Sequence, residues 1–495
     1  MTLVVDTTLG AVRGRELPDG SRVFAGIPFA APPVGELRFR PPQAPEPWHG
    51  VRDADRFAAA PVQGIPTLVG EQDTAFPSLP GFPTGDLGET SEDCLYLNVW
   101  VPATPAGEPR PVIVWIYGGG YESGSAAPPY TDGAALARQT GTVVVAANYR
   151  LGALGFLHLP DIGANNLGVR DQIAALRWVR DNIAGFGGDP GNVTVAGQSA
   201  GAYSVGTLLA VPAAAGLFHK AILQSGSASR SFDRAPAAGM AEDLLAALGL
   251  DEPEALRSVP AERILAKQGT VIDGDIGRRN LPGGRAWGAV VDGEVLPVEP
   301  HRAVVAGAAA AVPLLVGVTL DEVRLFQIVN GDRFRPADEA SLLAEIRGAG
   351  IADPAKLLDA YRARVGSDPS TVRSAFLTDA VYRLPAARLA QAQVEAGGRA
   401  YHYLFRDEPW GPVMGAFHGA DLLHTFDALA LIGADTPARL AVRDTLVRAF
   451  AAFAATGDPG WPVYDGNSRD IAVGGSMIAE PPADDVTAVW RVSAR

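Results

Sequence analysis

Cysteine is nearly absent. Cys94 is the only one in 495 residues, so no disulfide can form within the chain, and a fold held by covalent staples is excluded. A surplus of positive charge is also lacking. Lys and Arg number 41 against 55 Asp and Glu, leaving a net charge of −14. With no basic stripe in view, that argues against nucleic acid as a partner and suits small neutral or cationic ones. Long apolar runs are missing too. The longest, Ala303 to Val318, is broken by Pro313; it is short for a bilayer span and reads as a helix end followed by a strand. Met1–Asp6 shows neither a basic n-region nor an apolar h-region, so no secretion signal is read there and cytoplasmic residence is the expectation. Histidine is scarce, with seven in the chain. What is plentiful is hydrophobic residues, 47%, beside 19% charged, the composition of a globular protein with a large core. No internal repeat, low-complexity tract or interdomain linker is visible. Residues 1–495 therefore read as one long α/β domain.

The chain opens with short strands over Leu3–Val5, Ala11–Gly14 and Arg22–Gly26. A Pro-rich stretch follows, and residues 60–90, rich in Gly, Pro and Thr, read as a surface excursion. Continuous apolar runs then predict buried parallel strands at Val112–Tyr117, Thr142–Tyr149, Ala221–Gln224, Pro313–Val318 and Ala400–Phe405, the last taken as the final core strand. Between them lie helical spacings, such as Ile173, Leu176, Val179 and Ile183. Residues 230–300 and 336–397 read as largely helical excursions forming a cap. A helix over 437–455 and a short tail close the chain. Alternating strands and helices imply a central, mostly parallel sheet with helices on both faces.

The chain is organised around Val193–Ala202, where a β-branched run enters Gly197-Gln198-Ser199-Ala200-Gly201 and small residues follow. This G-x-S-x-G pattern between a strand and a helix has the form of a nucleophile elbow, a sharp turn that lifts a serine hydroxyl toward a base and a substrate carbonyl. With 57 glycines in the chain, a chance match somewhere is about one in four, so the flanking strand and helix carry the reading. Acyl transfer also needs donors for an oxyanion. Tyr117-Gly118-Gly119-Gly120-Tyr121 directly follows a buried strand, and the N–H groups of Gly119, Gly120 and Ala200 are assigned that role. If the triad order is serine, acid, histidine, the base is sought among the histidines late in the chain. His402 sits in a strand pattern and reads as structural; His418, in a Gly-bounded loop, is the candidate base, with His424 second. Asp321 and Glu322 both follow a strand and are candidate acids; physical reasoning leaves the two open, with helix capping as the alternative role for Asp321.

Taken together the chain resembles the type-B carboxylesterases, the cholinesterase-like branch of the α/β-hydrolases, and most of all their bacterial p-nitrobenzyl-esterase-like members. Phe24–Ala30, Leu37–Pro42, Ser91–Val99, Asn148–Gly152, Phe186–Thr194, Gly216–Ser227 and Ala455–Pro459 all carry the likeness. The resemblance implies an α/β-hydrolase fold and a serine carboxylesterase acting on small-molecule esters, with no cofactor and no metal. It selects Glu322 as the acid and supports Ser199, His418, Gly119, Gly120 and Ala200. It further implies that Ser225 hydrogen-bonds Glu322 and that Arg38 pairs with Glu92. The same machinery would serve an amidase or a carbamate hydrolase, and the fold has non-catalytic binding relatives. Three departures stand out. Gln198 replaces the usual Glu beside the nucleophile, Cys94 lacks its usual partner so that loop 60–94 is expected to be freer, and Val323 follows the acid in place of Gly.

Overall fold

In a computed structural model of the chain, residues 3–64, 89–103, 107–127 and 131–493 are described. Eleven strands form the main sheet: β1 (Arg15–Glu16), β2 (Arg22–Pro28), β3 (Tyr96–Val101), β4 (Arg110–Ile116), β5 (Val143–Ala147), β6 (Gly188–Gln198), β7 (Lys220–Gln224), β8 (Leu314–Thr319), β9 (Ala400–Phe405), β10 (Asn467–Ile471) and β11 (Met477–Ala479). Their order across the sheet is β11-β10-β9-β8-β7-β6-β4-β5-β3-β2-β1. Every neighbouring pair from β5 through β10 is parallel, while both edges are antiparallel.

The central strands are apolar without alternation because both faces are covered. β5, β7, β8 and β9 are buried along their whole length, as parallel strands sandwiched between helices must be. Helices Leu167–Asn182, Ala200–Leu208, Leu384–Glu395 and Pro437–Thr456 pack against these strands. Among the described residues no helix is long and apolar enough to cross a membrane.

The sheet differs from the sequence expectation at its ends. Ala400–Phe405 is not the last strand: β10 and β11 extend the sheet beyond it, and the expected tail is these two strands plus the helix Asp485–Ser493. β10 reads Asn-Ser-Arg-Asp-Ile, so its place is fixed by ladder hydrogen bonds to β9 rather than by an apolar run. The N-terminal strands also separate. Val4–Thr7 and Gly10–Arg13 form a small sheet with Val51–Asp53, whereas Arg22–Pro28 joins the main one. Region 230–300 is helical over much of 234–280 and runs as turns and coil from 281 to 299, with a two-residue parallel pairing of Phe232–Asp233 with Val290–Val291.

The expected excursion at 60–90 falls mostly outside the described residues, but its ends are fixed. Ala60–Pro61 pairs with Thr90–Ser91. The Gln63 amide donates to the Gly124 carbonyl at 2.9 Å and accepts from the Gly124 N–H at 2.8 Å. Arg38 meets Glu92 through two hydrogen bonds, one of them 2.6 Å, and donates from Nη1 to the Arg257 carbonyl at 2.8 Å. The implied Arg38–Glu92 pair is therefore present and joins the N-terminal segment to the helical region above it. Cys94 is buried without a partner, and burial pushes its thiol up.

Candidate active site

Four sequence-predicted segments arrive at the C-terminal edge of the parallel sheet, where α/β folds bind their ligands. Ser199 leaves β6, Tyr117–Gly120 leaves β4, Glu322 follows β8, and His418 follows β9.

Ser199 has φ 55° and ψ −124°, a region L-residues rarely occupy, and it stands where β6 turns into the helix Ala200–Leu208. Its N–H donates to the Gln224 carbonyl of β7 at 2.9 Å, and its carbonyl accepts from Tyr203 N–H at 2.9 Å. The hydroxyl does not cap the helix behind it. The turn closes only because Gly201 has no side chain: a Cβ there would lie 2.0 Å from the Ile116 carbonyl oxygen. On the neighbouring loop, a Cβ on Gly118 would come within 3.0 Å of Ser199 Cβ and 2.7 Å of the Gln198 carbonyl oxygen. The glycine loop therefore lies against the elbow. Gly119 and Gly120 have φ 115° and 66°. Among the described residues the N–H groups of Gly119, Gly120 and Ala200 have no protein acceptor.

His418 Nδ1 lies 2.5 Å from Glu322 Oε2. Both side chains are buried, and Glu322 is fully enclosed. Glu322 Oε1 accepts from Thr319 N–H at 2.8 Å. With a carboxylate on Nδ1, the proton of neutral His418 belongs on that nitrogen, and Nε2 presents a lone pair. Nε2 is met at 3.1 Å by the side-chain amide nitrogen of Gln198, the residue before Ser199. Phe326 and Tyr382 flank the imidazole, with ring centroids 5.4 and 5.0 Å away. Tyr382 is presented by a single π-helical turn, Thr378–Arg383, an irregularity frequent at functional sites. Thr378 Oγ1 of the same turn accepts from Val323 N–H at 3.1 Å. Val323 has φ −85°, so a β-branched residue fits there without left-handed strain.

Three other candidates take different places. Asp321 does not cap a helix with its side chain; it clamps the histidine loop. Its N–H donates to the Ala416 carbonyl at 2.9 Å and its carboxylate accepts from Ala416 N–H at 3.1 Å. His424 is buried, with Nδ1 on the Ala420 carbonyl and Nε2 3.1 Å from Asp407, away from the elbow. His402 is buried in β9 against Ser468 Oγ at 2.7 Å. Burial, reinforced by the Arg383 charge, holds it down at about 3 and therefore neutral.

The implied Ser225–Glu322 hydrogen bond is not formed. Ser225 Oγ is buried without a hydrogen-bond partner, while the two Glu322 oxygens meet Thr319 and His418. The backbone of Ser225, at φ 52°, instead bonds Gly317 of β8 through its N–H at 2.7 Å. The support beneath the pair comes from residues that sequence reasoning did not assign. Asp421 Oδ2 accepts from Gln224 Nε2 at 2.8 Å and from the Tyr403 hydroxyl at 3.1 Å. Burial first, then the Glu322 charge, pushes the Asp421 carboxyl up to about 6. The one sequence signal for it was its place three residues after His418. Among the described residues no three His, Cys, Asp or Glu side chains converge as metal ligands would.

Residues 1–470 match the Carboxylesterase family. The chain is 36% identical over 495 residues to the para-nitrobenzyl esterase of Bacillus subtilis (strain 168), covering 96% of this chain and 95% of that protein. It is 42% identical over 332 residues to the fumonisin B1 esterase of Sphingopyxis macrogoltabida, which covers 66% of this chain and 57% of that one. Among solved structures, the carboxylesterase EST55 of Geobacillus stearothermophilus superposes with a TM-score of 0.84 at 36% identity, over 99% of this chain and 100% of that one.

Proposed function

Because the chain belongs to the carboxylesterase family, has the α/β-hydrolase fold and is a carboxylic ester hydrolase, we propose that Ser199, His418 and Glu322 are its catalytic triad. We read residues 1–495 as one catalytic domain. Gly119, Gly120 and Ala200 form the oxyanion hole. His418 Nε2 takes the Ser199 proton as Oγ attacks the ester carbonyl. The three N–H groups hold the tetrahedral oxyanion, and His418 returns the proton to the leaving alcohol. Water, deprotonated by the same nitrogen, then releases the acid from the acyl-enzyme. Glu322 fixes the tautomer and stabilises the imidazolium. Gln198 and Ser225 support the site without reacting, Gln198 through its amide on His418 Nε2.

The observation that carries this reading is the pairing of His418 Nδ1 with Glu322 at 2.5 Å while Nε2 meets Gln198, the neighbour of Ser199, at 3.1 Å. That geometry turns the basic nitrogen toward the elbow. Small-molecule esters are the substrates. Cytoplasmic residence is part of the reading and rests on a chain with a single cysteine.

Hydrolysis of p-nitrophenyl acetate and butyrate by wild type and Ser199→Ala, side by side, tests it. The expected loss in the variant is at least about a thousandfold in kcat/KM. Equal rates in both proteins would remove Ser199 as nucleophile.

A further inference from the structure

Arg230, half-buried, differs from the other arginines held against the interior. Arg38, Arg150, Arg279 and Arg383 each reach a carboxylate. Arg230 reaches none among the described residues, and its Nε is buried without a hydrogen-bond partner. Its guanidinium lies over the rings of Tyr121 and Tyr203, 5.6 Å from each centroid. In a chain with 55 acidic residues against 41 basic ones, a half-buried cation left without an anion is unexpected. Desolvating a charge is costly, and cation–π contact offsets only part of that cost.

The two rings tie Arg230 to the reacting centre. Tyr121 directly follows Gly120. Tyr203 is one helical turn past the nucleophile, with its N–H on the Ser199 carbonyl. The charge of Arg230 also bears on Tyr382, which packs on His418. The carboxylates of Glu122 and Glu322 are engaged, Glu122 with Arg279 and Glu322 with His418. Among the described residues the charge of Arg230 is thus left open to an anion brought by a substrate. His418 hands its proton to the leaving alcohol, so the alcohol lies toward the imidazole. The acyl group stays on Ser199, to which Tyr121 is linked through the glycine loop and Tyr203 through the elbow helix.

From this arrangement, and resting on the reading of Ser199 as nucleophile, we propose that Arg230 is a specificity residue that binds a carboxylate carried on the acyl group. The favoured substrates are half-esters of dicarboxylic or polycarboxylic acids. A guanidinium fork suits such a carboxylate because it offers two parallel N–H donors.

Two matched esters test this, with ethanol release as the readout: monoethyl glutarate and ethyl pentanoate. Wild type, Arg230→Met and Arg230→Lys are compared by the ratio of kcat/KM for the charged ester to that for the neutral one. This ratio does not depend on the fraction of enzyme folded. It is expected to favour the charged ester in wild type, to fall at least about tenfold in Arg230→Met, and to fall less in Arg230→Lys, which keeps the charge. A ratio unchanged in Arg230→Met overturns the proposal. So does a wild-type preference for a carboxylate on the alcohol side, read with 3-carboxypropyl acetate against butyl acetate. Turnover of ethyl pentanoate that is lost in Ser199→Ala tests the underlying esterase reading separately. A wild type inert toward every one of these esters refutes that reading, and the proposal falls with it.

Discussion

Gln198 places an amide on the one nitrogen of His418 that a serine hydroxyl would need. A carboxamide can donate to the lone pair of a neutral imidazole or, turned over, accept from an imidazolium, so it serves both states without adding charge. A carboxylate at the same position would add a negative charge beside Ser199. Gln198→Glu is therefore expected to raise kcat/KM for 2-(trimethylammonio)ethyl butyrate relative to its neutral isostere 3,3-dimethylbutyl butyrate by about three- to tenfold. Equal effects on both esters would contradict this. Asp421 gives a prediction in stability. Its carboxyl is pushed up from 3.8 to about 6, so the unfolded chain releases this proton at lower pH than the folded one. The stability it confers is fully present below the unfolded value and is lost as pH rises through the folded value. Asp421→Asn removes the titration and keeps an oxygen for Gln224 and Tyr403. The unfolding free energy of the variant minus that of wild type should rise by on the order of 2 kcal/mol from pH 4 to pH 7. A difference that is flat across this range would contradict the assignment. At this scale the elbow serine, the glycine loop and the loop histidine were legible, because each needs a residue type that few positions offer. Asp421 was not, since nothing local distinguishes a buried acid beneath a site from a solvated one after a loop.

Among the elements, the elbow depends on the close crossing of β6, β4 and the helix behind Ser199. The Cβ of Gly201→Ala would be driven into the Ile116 carbonyl. The variant is expected to lose about 1–3 kcal/mol in denaturant unfolding and more than tenfold in esterase activity. Unchanged values of both would show that the crossing is looser than described. The central strands were readable because burial on both faces makes them continuous apolar runs. β10 was not, because a strand with a polar sequence, paired on one side with β9 and on the other with β11, is held by backbone pairing that composition does not encode. The Ser225–Glu322 bond implied by family likeness is not formed: the Ser225 backbone is held on Gly317 of β8, and the Glu322 oxygens meet Thr319 and His418.

Across the whole molecule, a buried charge network ties the C-terminal segment to the helical region at 354–395. Arg383 donates to both Glu480 oxygens at 3.0 and 2.7 Å and to Asp379 at 3.2 Å. Asp379 also accepts from Arg364 and from the Tyr361 hydroxyl, each at 2.8 Å, and Tyr361 in turn accepts from Trp490 at 3.1 Å. Removing one partner strands a buried charge. Glu480→Gln should therefore lose about 3 kcal/mol in urea unfolding, whereas the double change Arg383→Met with Glu480→Leu should recover most of it. A loss under about 1 kcal/mol in the single variant would mean that the pair is solvated. None of this network was visible in the sequence, since its members lie far apart along the chain and surface arginines look the same in a sequence as buried ones. The central claim, that Ser199 is the nucleophile activated by His418 and Glu322, is most directly tested by intact and peptide mass spectrometry after treatment with a diethyl p-nitrophenyl phosphate. The account predicts one diethylphosphoryl adduct, on the peptide carrying Ser199, absent in Ser199→Ala and formed far more slowly in His418→Ala. An adduct on another residue, or labelling that proceeds unchanged without His418, would contradict it.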